Sequence, residues 1–238
     1  MALKHASRCL ELGSRLPQLT HRRSAAACGA ALVAQSPSHL RHRVRSAGPG
    51  GQPRHFSVDA IGGGAYHLRI GEGCPFVVNC IIEISKESRM KYEWDEEVNM
   101  LRLDRVLSTS MFYPHNYGFI PQTLCGDGDP LDVLVMGNAP LLPGCVLDVR
   151  AVGHLIMTDE KGEDEKVLAV PNVDPRFNDV KDLGDVSLHQ KHEIEHFFHK
   201  YKDLEKDKWV EIGKWKDVEE TRELIRNSHK LFLDSVQE

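Results

Sequence analysis

The chain has 238 residues, enough for one sizeable domain or two small ones, with 41% hydrophobic and 27% charged residues, ordinary for a folded soluble protein. No run of about 18 apolar residues is present, which argues against a transmembrane helix. The net charge of -5 hides an asymmetry, +8 over residues 1–56 against -13 over the rest. An acidic body opposes nucleic-acid binding, which needs a cationic footprint, and suits a protein that concentrates metal cations.

Residues 1–56 carry nine Lys or Arg and one acid, Glu11, and Gly48, Pro49, Gly50 and Gly51 break any helix. This is the composition of an organelle transit peptide, disordered and removed after import. Arg54-His55-Phe56-Ser57 resembles the R-x-F/Y-S site of the mitochondrial processing peptidase. The mitochondrial matrix is therefore the expected address and a plastid the alternative. A basic disordered tail is the plainer reading of the same residues. Residues 57–73 read as a linker and N-terminal extension, and 74–238 as one folded domain. The six cysteines include no CxxC pair, which removes zinc-ribbon and thioredoxin readings and leaves reduced thiols.

Within the domain, Phe76–Ile84 alternates, with Val78, Cys80, Ile82 and Ile84 on one face and Asn79, Ile81 and Glu83 on the other. Lys91 and Glu93 share a strand face opposite Tyr92, and Leu101, Leu103 and Arg105 share another. Pro130–Met136 and Cys145–Met157 are two further β-rich runs, and short strands at this spacing predict a small barrel. The last third reads as helical. Ser187 with Gln190 forms a capping pattern ahead of Ile194, Phe197, Phe198 and Tyr201, an i, i+3, i+4, i+7 stripe. Asp217 with Glu220 caps a final helix whose inner face holds Val218, Thr221, Ile225, Ser228 and Phe232.

The densest chemical signal is Asp127-Gly128-Asp129-Pro130-Leu131-Asp132. Three carboxylates in six residues repel one another unless cations sit between them, and hard divalent cations take oxygen ligands. A solvated turn explains the hexapeptide alone equally well. An EF-hand loop counted from Asp127 fails, because its sixth and twelfth positions hold Asp132 and Asn138. A second acidic run, Asp159 to Lys166, reads alone as a charged hairpin turn. Both acidic runs abut apolar strands, so two rims could converge. Lys91, Arg105 and Lys202 could neutralise phosphate, Arg105 bidentately, although each alone is a surface cation. A tyrosine closing an apolar stripe can bury its ring and offer its hydroxyl to a ligand.

Together these residues resemble the soluble inorganic pyrophosphatase family, magnesium-dependent and of the compact bacterial type. The resemblance runs from about residue 70 to the C-terminus. It rests on Arg105 through Tyr113-Pro-His-Asn-Tyr117-Gly-Phe-Ile, on the acidic hexapeptide, on Met157 to Lys166, on Phe197 to Glu205, and on Glu83 with Lys91-Tyr-Glu93. It implies a five-stranded OB-like closed β-barrel with two principal flanking helices, hydrolysing pyrophosphate to two phosphates with several Mg2+ ions and a water bridging two of them. Asp127, Asp132, Asp159, Asp164 and Glu83 are implied as the metal set, and Asp129 as the general base. Lys91, Arg105, Tyr117, Tyr201 and Lys202 are implied to grip the phosphates. Glu93, Tyr113, Glu160 and Lys166 are implied as supporting members. OB-like barrels elsewhere bind single-stranded nucleic acid, which the acidic body opposes here. An inactive relative is opposed by every expected polar position being filled. Bacterial members assemble as hexamers through a histidine where Lys200 stands in this chain, although His196 remains, so homo-oligomerisation stays open.

Overall fold

The computed structural model describes residues 64, 65 and 68–237; the transit-peptide reading and its cleavage-like tetrapeptide lie outside them. In chain order the elements are β1 (Val78–Ile84), β2 (Met90–Asp95), β3 (Met100–Val106), β4 (Asn116–Phe119), β5 (Asp132–Val135), β6 (Val146–Asp159), β7 (Gly162–Pro171), α1 (Leu188–Lys200), β8 (Val210–Lys216) and α2 (Val218–Ser235).

Five strands form a ring. β1 pairs with β4, β4 with β5, β5 in parallel with β7, β7 with β6, and β6 returns to β1. The expected five-stranded OB-like ring with two principal helices is what the chain forms. β6 makes closure possible by length: Val146–Val149 pair with β1 while its far half, His154–Asp159, pairs with β8. β2 and β3 form a separate two-stranded hairpin.

Val133–Val135 of β5 and Val167–Val170 of β7 are buried on both faces, so those stretches run continuously apolar rather than alternating. In β5 and β7, Leu134, Leu168 and Val170 join one cluster, which includes Phe197 and Phe198 of α1. Val133, Val135, Val167 and Ala169 join the other, with Ile225 of α2. The four-residue stripe of α1 is buried as expected, at roughly 1.5–3 kcal/mol per large side chain. The Ser187 hydroxyl accepts from Gln190 N and donates to the Gln190 side chain instead of completing a reciprocal box. Asp217 and Glu220 do complete one. The Thr221 hydroxyl spends its proton on Asp217 O at 2.6 Å, so His154 Nδ1, 2.8 Å away, is the donor of that contact.

Three expectations change. The last third is not purely helical, because β8 lies between the two helices. Its Glu211, Lys214 and Lys216 are polar enough to conceal a strand that needs only one protected edge, against β6. Ile84 does not share a cluster with Val78, Cys80 and Ile82: a register shift between Ile82 and Ile84 separates them. The Asp159–Lys166 run is not all turn. Only Glu160 and Lys161 turn, and Gly162, at φ +131, starts β7.

Close approach fixes β4 against β1. A Cβ on Gly118 would lie 1.8 Å from the Ile81 carbonyl oxygen. Beside it, Asn116 is fully buried. Its Oδ1 accepts from Lys86 N and Leu141 N, and its Nδ2 donates to Ala139 O, which pins the strand between two loops.

Candidate active site

The parallel pairing of β5 with β7 sets Asp132 opposite Lys166, and the two-residue turn between β6 and β7 puts Asp159 and Asp164 beside them. The two acidic rims therefore converge on one edge of the ring. The Cys125–Pro130 loop is folded onto that edge by Cys125 N donating to Asp129 O (2.9 Å) and Gly128 N to Cys125 O (3.1 Å). Asp129 N donates to Asp127 Oδ1 at 3.1 Å, and Gly128 takes a φ of +91 that favours glycine. Across from this rim, the β2–β3 hairpin sets Lys91 opposite Arg105. β1 contributes Glu83, β4 Tyr117, and the end of α1 Tyr201 and Lys202.

These groups line one cleft of about 370 Å³. Every residue nominated from the sequence reaches it except Tyr113. That ring is buried behind the wall, 5.3 Å from the Tyr117 ring and 4.7 Å from Phe197, so its role is to seat Tyr117.

Charge is densely paired. Lys166 donates to Asp132 and to Asp164, the latter at 2.5 Å. Lys202 donates to Asp159 at 2.7 Å and stands 3.4 Å from Glu160. Lys91 pairs with Glu93 and lies 3.4 Å from Asp104, while Arg105 bonds Asp104 at 2.5 Å and Glu205 at 2.9 Å. Trp94 N donates to Glu83 Oε1 at 2.7 Å.

Burial, then the Asp132 carboxylate, pushes Glu83 up to about 8 despite the Trp94 donor. Burial lifts Asp164 to about 6, Lys166 opposing and Asp132 adding. Burial and then Asp127 raise Asp129. Burial disfavours the Lys166 ammonium, but Asp132 and Asp164 outweigh it and hold the group charged. Burial keeps Tyr117 and Tyr201 well above the ordinary phenol range, so both hydroxyls retain protons to donate. Burial works against the Glu160 charge, yet the Lys208 ammonium holds its carboxyl at about 2.

The expected metal set, Glu83, Asp127, Asp132, Asp159 and Asp164, shares one rim. Among the described residues, however, no three His, Cys, Asp or Glu side chains close on a single point. Lys166 stands between Asp132 and Asp164, and Lys202 holds Asp159. The donors nevertheless fit hard divalent cations. They are all oxygen, and burial first, with neighbouring carboxylates adding, raises Glu83, Asp129 and Asp164, a cost that added positive charge relieves.

Sequence reasoning did not single out Asp104, Glu205, Lys161 or Lys208. Asp104 and Glu205 bracket the Arg105 guanidinium, Lys161 Nζ lies 3.7 Å from Asp129, and Lys208 pairs with Glu160. Glu205 closes the matched Phe197–Glu205 segment, which was its one signal. Lys208 sits in a Lys-Asp-Lys run that reads as ordinary surface.

Comparison with known proteins identifies the family. The family described as inorganic pyrophosphatase matches residues 80–233. The chain is 50% identical over 165 residues to the inorganic pyrophosphatase of Saccharolobus solfataricus, covering 68% of this chain and 96% of that protein. It is 49% identical over 161 residues to that of Thermus thermophilus, covering 67% and 92%. The crystal structure of the Thermus thermophilus enzyme superposes with a TM-score of 0.69 at 47% identity, covering 70% of this chain and 97% of that one. A type I enzyme from Toxoplasma gondii still superposes with a TM-score of 0.64 at 25% identity, covering 70% and 85%.

Proposed function

The chain belongs to the inorganic pyrophosphatase family and hydrolyses pyrophosphate to two phosphates, and from that premise we propose a magnesium-assisted mechanism with named roles for its cleft residues. Asp127, Asp132, Asp159 and Asp164 hold the Mg2+ ions, with Glu83 at the edge of the set. Mg2+ bound there supplies charge neutralisation on the diphosphate oxygens and lowers the pKa of water.

Asp129 accepts the proton of the attacking water. Its side chain is 66% exposed to the cleft, so the attacking water reaches it, and a carboxylate there can take the proton. As the new P–O bond forms, the bridging P–O bond breaks and its charge passes to the departing phosphate. Lys91, Arg105 and Lys202 neutralise that charge, and the Tyr117 and Tyr201 hydroxyls donate to phosphate oxygens. Lys166 holds Asp132 and Asp164 in place, Glu93 positions Lys91, Glu160 positions Lys202, and Tyr113 packs Tyr117.

Convergence carries this reading: residues from Glu83 to Lys202 meet in one 370 Å³ cleft with an acidic rim facing a Lys, Arg and Tyr wall. Phosphate release by the purified protein, with and without Mg2+, tests it. Asp129→Asn should lose roughly 10²–10⁴ in rate while Mg2+ affinity by calorimetry is retained. A near-wild-type rate would remove Asp129 as the base, and turnover indifferent to Mg2+ would remove the metal. We further propose that residues 1–56 deliver the enzyme to the mitochondrial matrix. N-terminal sequencing from fractionated organelles tests this, and an intact Met1 on a cytosolic protein would refute it.

A further inference from the structure

Along α1 the sequence reads His192-Glu193-Ile194-Glu195-His196, then Phe197-Phe198-His199, with the three histidines exposed and Ile194, Phe197 and Phe198 buried. Two histidines four apart on a helix stand about 5–6 Å apart at Cβ and can close on one metal ion, as in the H-E-x-x-H pattern. The placement supports this use. His192, His196 and His199 line a groove of about 470 Å³ between α1 and β8, with Glu195 on the helix and Glu211 on the strand. Trp215 Nε1 donates to Glu195 Oε1 at 2.7 Å, which anchors that carboxylate in the groove wall.

We propose that α1 carries a second metal site, separate from the carboxylate cleft, in which His192 and His196 chelate a borderline divalent transition-metal ion of the zinc class. Imidazole donors select such ions, whereas the all-oxygen rim of the catalytic cleft suits magnesium. The protein supplies a two-point chelate, since no three donors close on one point among the described residues; water completes the shell. His199 and Glu211 lie along the same groove and bias the ion toward it. The site is not proposed as a second hydrolytic centre, because Glu193, where H-E-x-x-H hydrolases keep their base, does not line the groove.

The test titrates Zn2+ calorimetrically into the full chain held in saturating Mg2+, with Co2+ absorption as the spectroscopic readout. One Zn2+ equivalent should bind beyond the Mg2+-filled cleft. His192→Gln and His196→Gln should each weaken it at least tenfold and together abolish it, with the Co2+ spectrum losing its imidazole signature. His199→Gln should weaken it no more than about threefold, the loss of one secondary donor. Mg2+-supported pyrophosphate turnover should be unchanged in all three. Zn2+ affinity unaltered in the double variant would overturn the proposal. So would Zn2+ binding that Asp132→Asn abolishes and the histidine variants leave intact, which would place the ion in the catalytic cleft.

Discussion

Replacing Gly118 with alanine tests whether the close packing of β4 on β1 sets both stability and catalysis. The added Cβ would stand 1.8 Å from Ile81 O, 2.8 Å from Ile81 C and 2.9 Å from Ile82 Cα, all backbone atoms. A carbon normally approaches a carbonyl oxygen no nearer than about 3.3 Å, so the overlap is roughly 1.5 Å. No side chain can swing away, and relief requires β1 and β4 to part by more than an ångström. Hydrogen bonds lengthened that far are lost, and the ladder through Ile81↔Phe119, Ile82↔Gly118 and Ile84↔Tyr117 goes with them. At about 1 kcal/mol net per bond, plus loosened packing of Tyr117 and Phe119, the cost is roughly 4 kcal/mol, against about 5–15 kcal/mol for a whole domain. Urea unfolding followed by tryptophan fluorescence should show that loss. The fraction still folded should turn over pyrophosphate more slowly, because Tyr117 is displaced from the cleft. A change below about 1 kcal/mol with unaltered turnover would refute the reasoning.

Lys166→Met keeps the stem and deletes a charge that is 4% exposed between Asp132 and Asp164; urea unfolding at pH 7 in chelator should show a loss of roughly 3 kcal/mol, partly restored by Mg2+, and a loss under about 1 kcal/mol would contradict the pairing. His115 is buried with neither ring nitrogen bonded, and burial, then Lys86, depresses its pKa to about 4. The unfolded chain therefore binds the extra proton first, and stability falls as pH drops from about 6.5 toward 4, by at most roughly 3 kcal/mol. Denaturant titrations at pH 7 and 4.5 should show a shallower pH slope in His115→Leu than in wild type, and equal slopes would dismiss the effect. Ca2+ accepts looser, higher coordination than Mg2+. It should inhibit Mg2+-supported phosphate release, and full turnover with Ca2+ alone would count against a tightly specified cluster.

Local signals were readable where one element satisfies itself. Ile194, Phe197, Phe198 and Tyr201 announce α1 because burial at helical spacing depends on that segment alone, and Asp217 with Glu220 announces α2 for the same reason. The acidic hexapeptide was legible as chemistry because three carboxylates at that spacing are costly without a partner. What escaped depends on pairing across the chain. β7 opens Gly162-Glu163-Asp164-Glu165 and reads as a turn until β5 and β6 flank it. β8 sets Val210, Ile212 and Trp215 among Glu211, Lys214 and Lys216, so its identity as a strand comes from β6. The Arg105–Glu205 contact spans a hundred positions and leaves no mark on either local sequence. Tyr113 and Tyr117 flank the same Pro-His-Asn tripeptide, and only the fold shows that one stands behind the wall and the other in it.

The return of β6 to β1 governs how the chain must be made. Val78 meets Val149, 71 positions later, and until that partner emerges β1 has an open edge of unpaired amides and carbonyls. β5 also waits for a later partner, its parallel neighbour β7, where Asp132 meets Lys166. Contacts this distant incur their loop-closure cost before any pairing compensates, which places the domain among slow folders. A nascent chain released between β6 and β7 holds the aspartates of the hexapeptide but lacks the strand that brings them Lys166 and joins β5 to β6 in the ring. Synthesis, proteolysis or gene splitting that stops inside that interval leaves a sticky sheet fragment, because no piece ending before Val149 can seal its own edge.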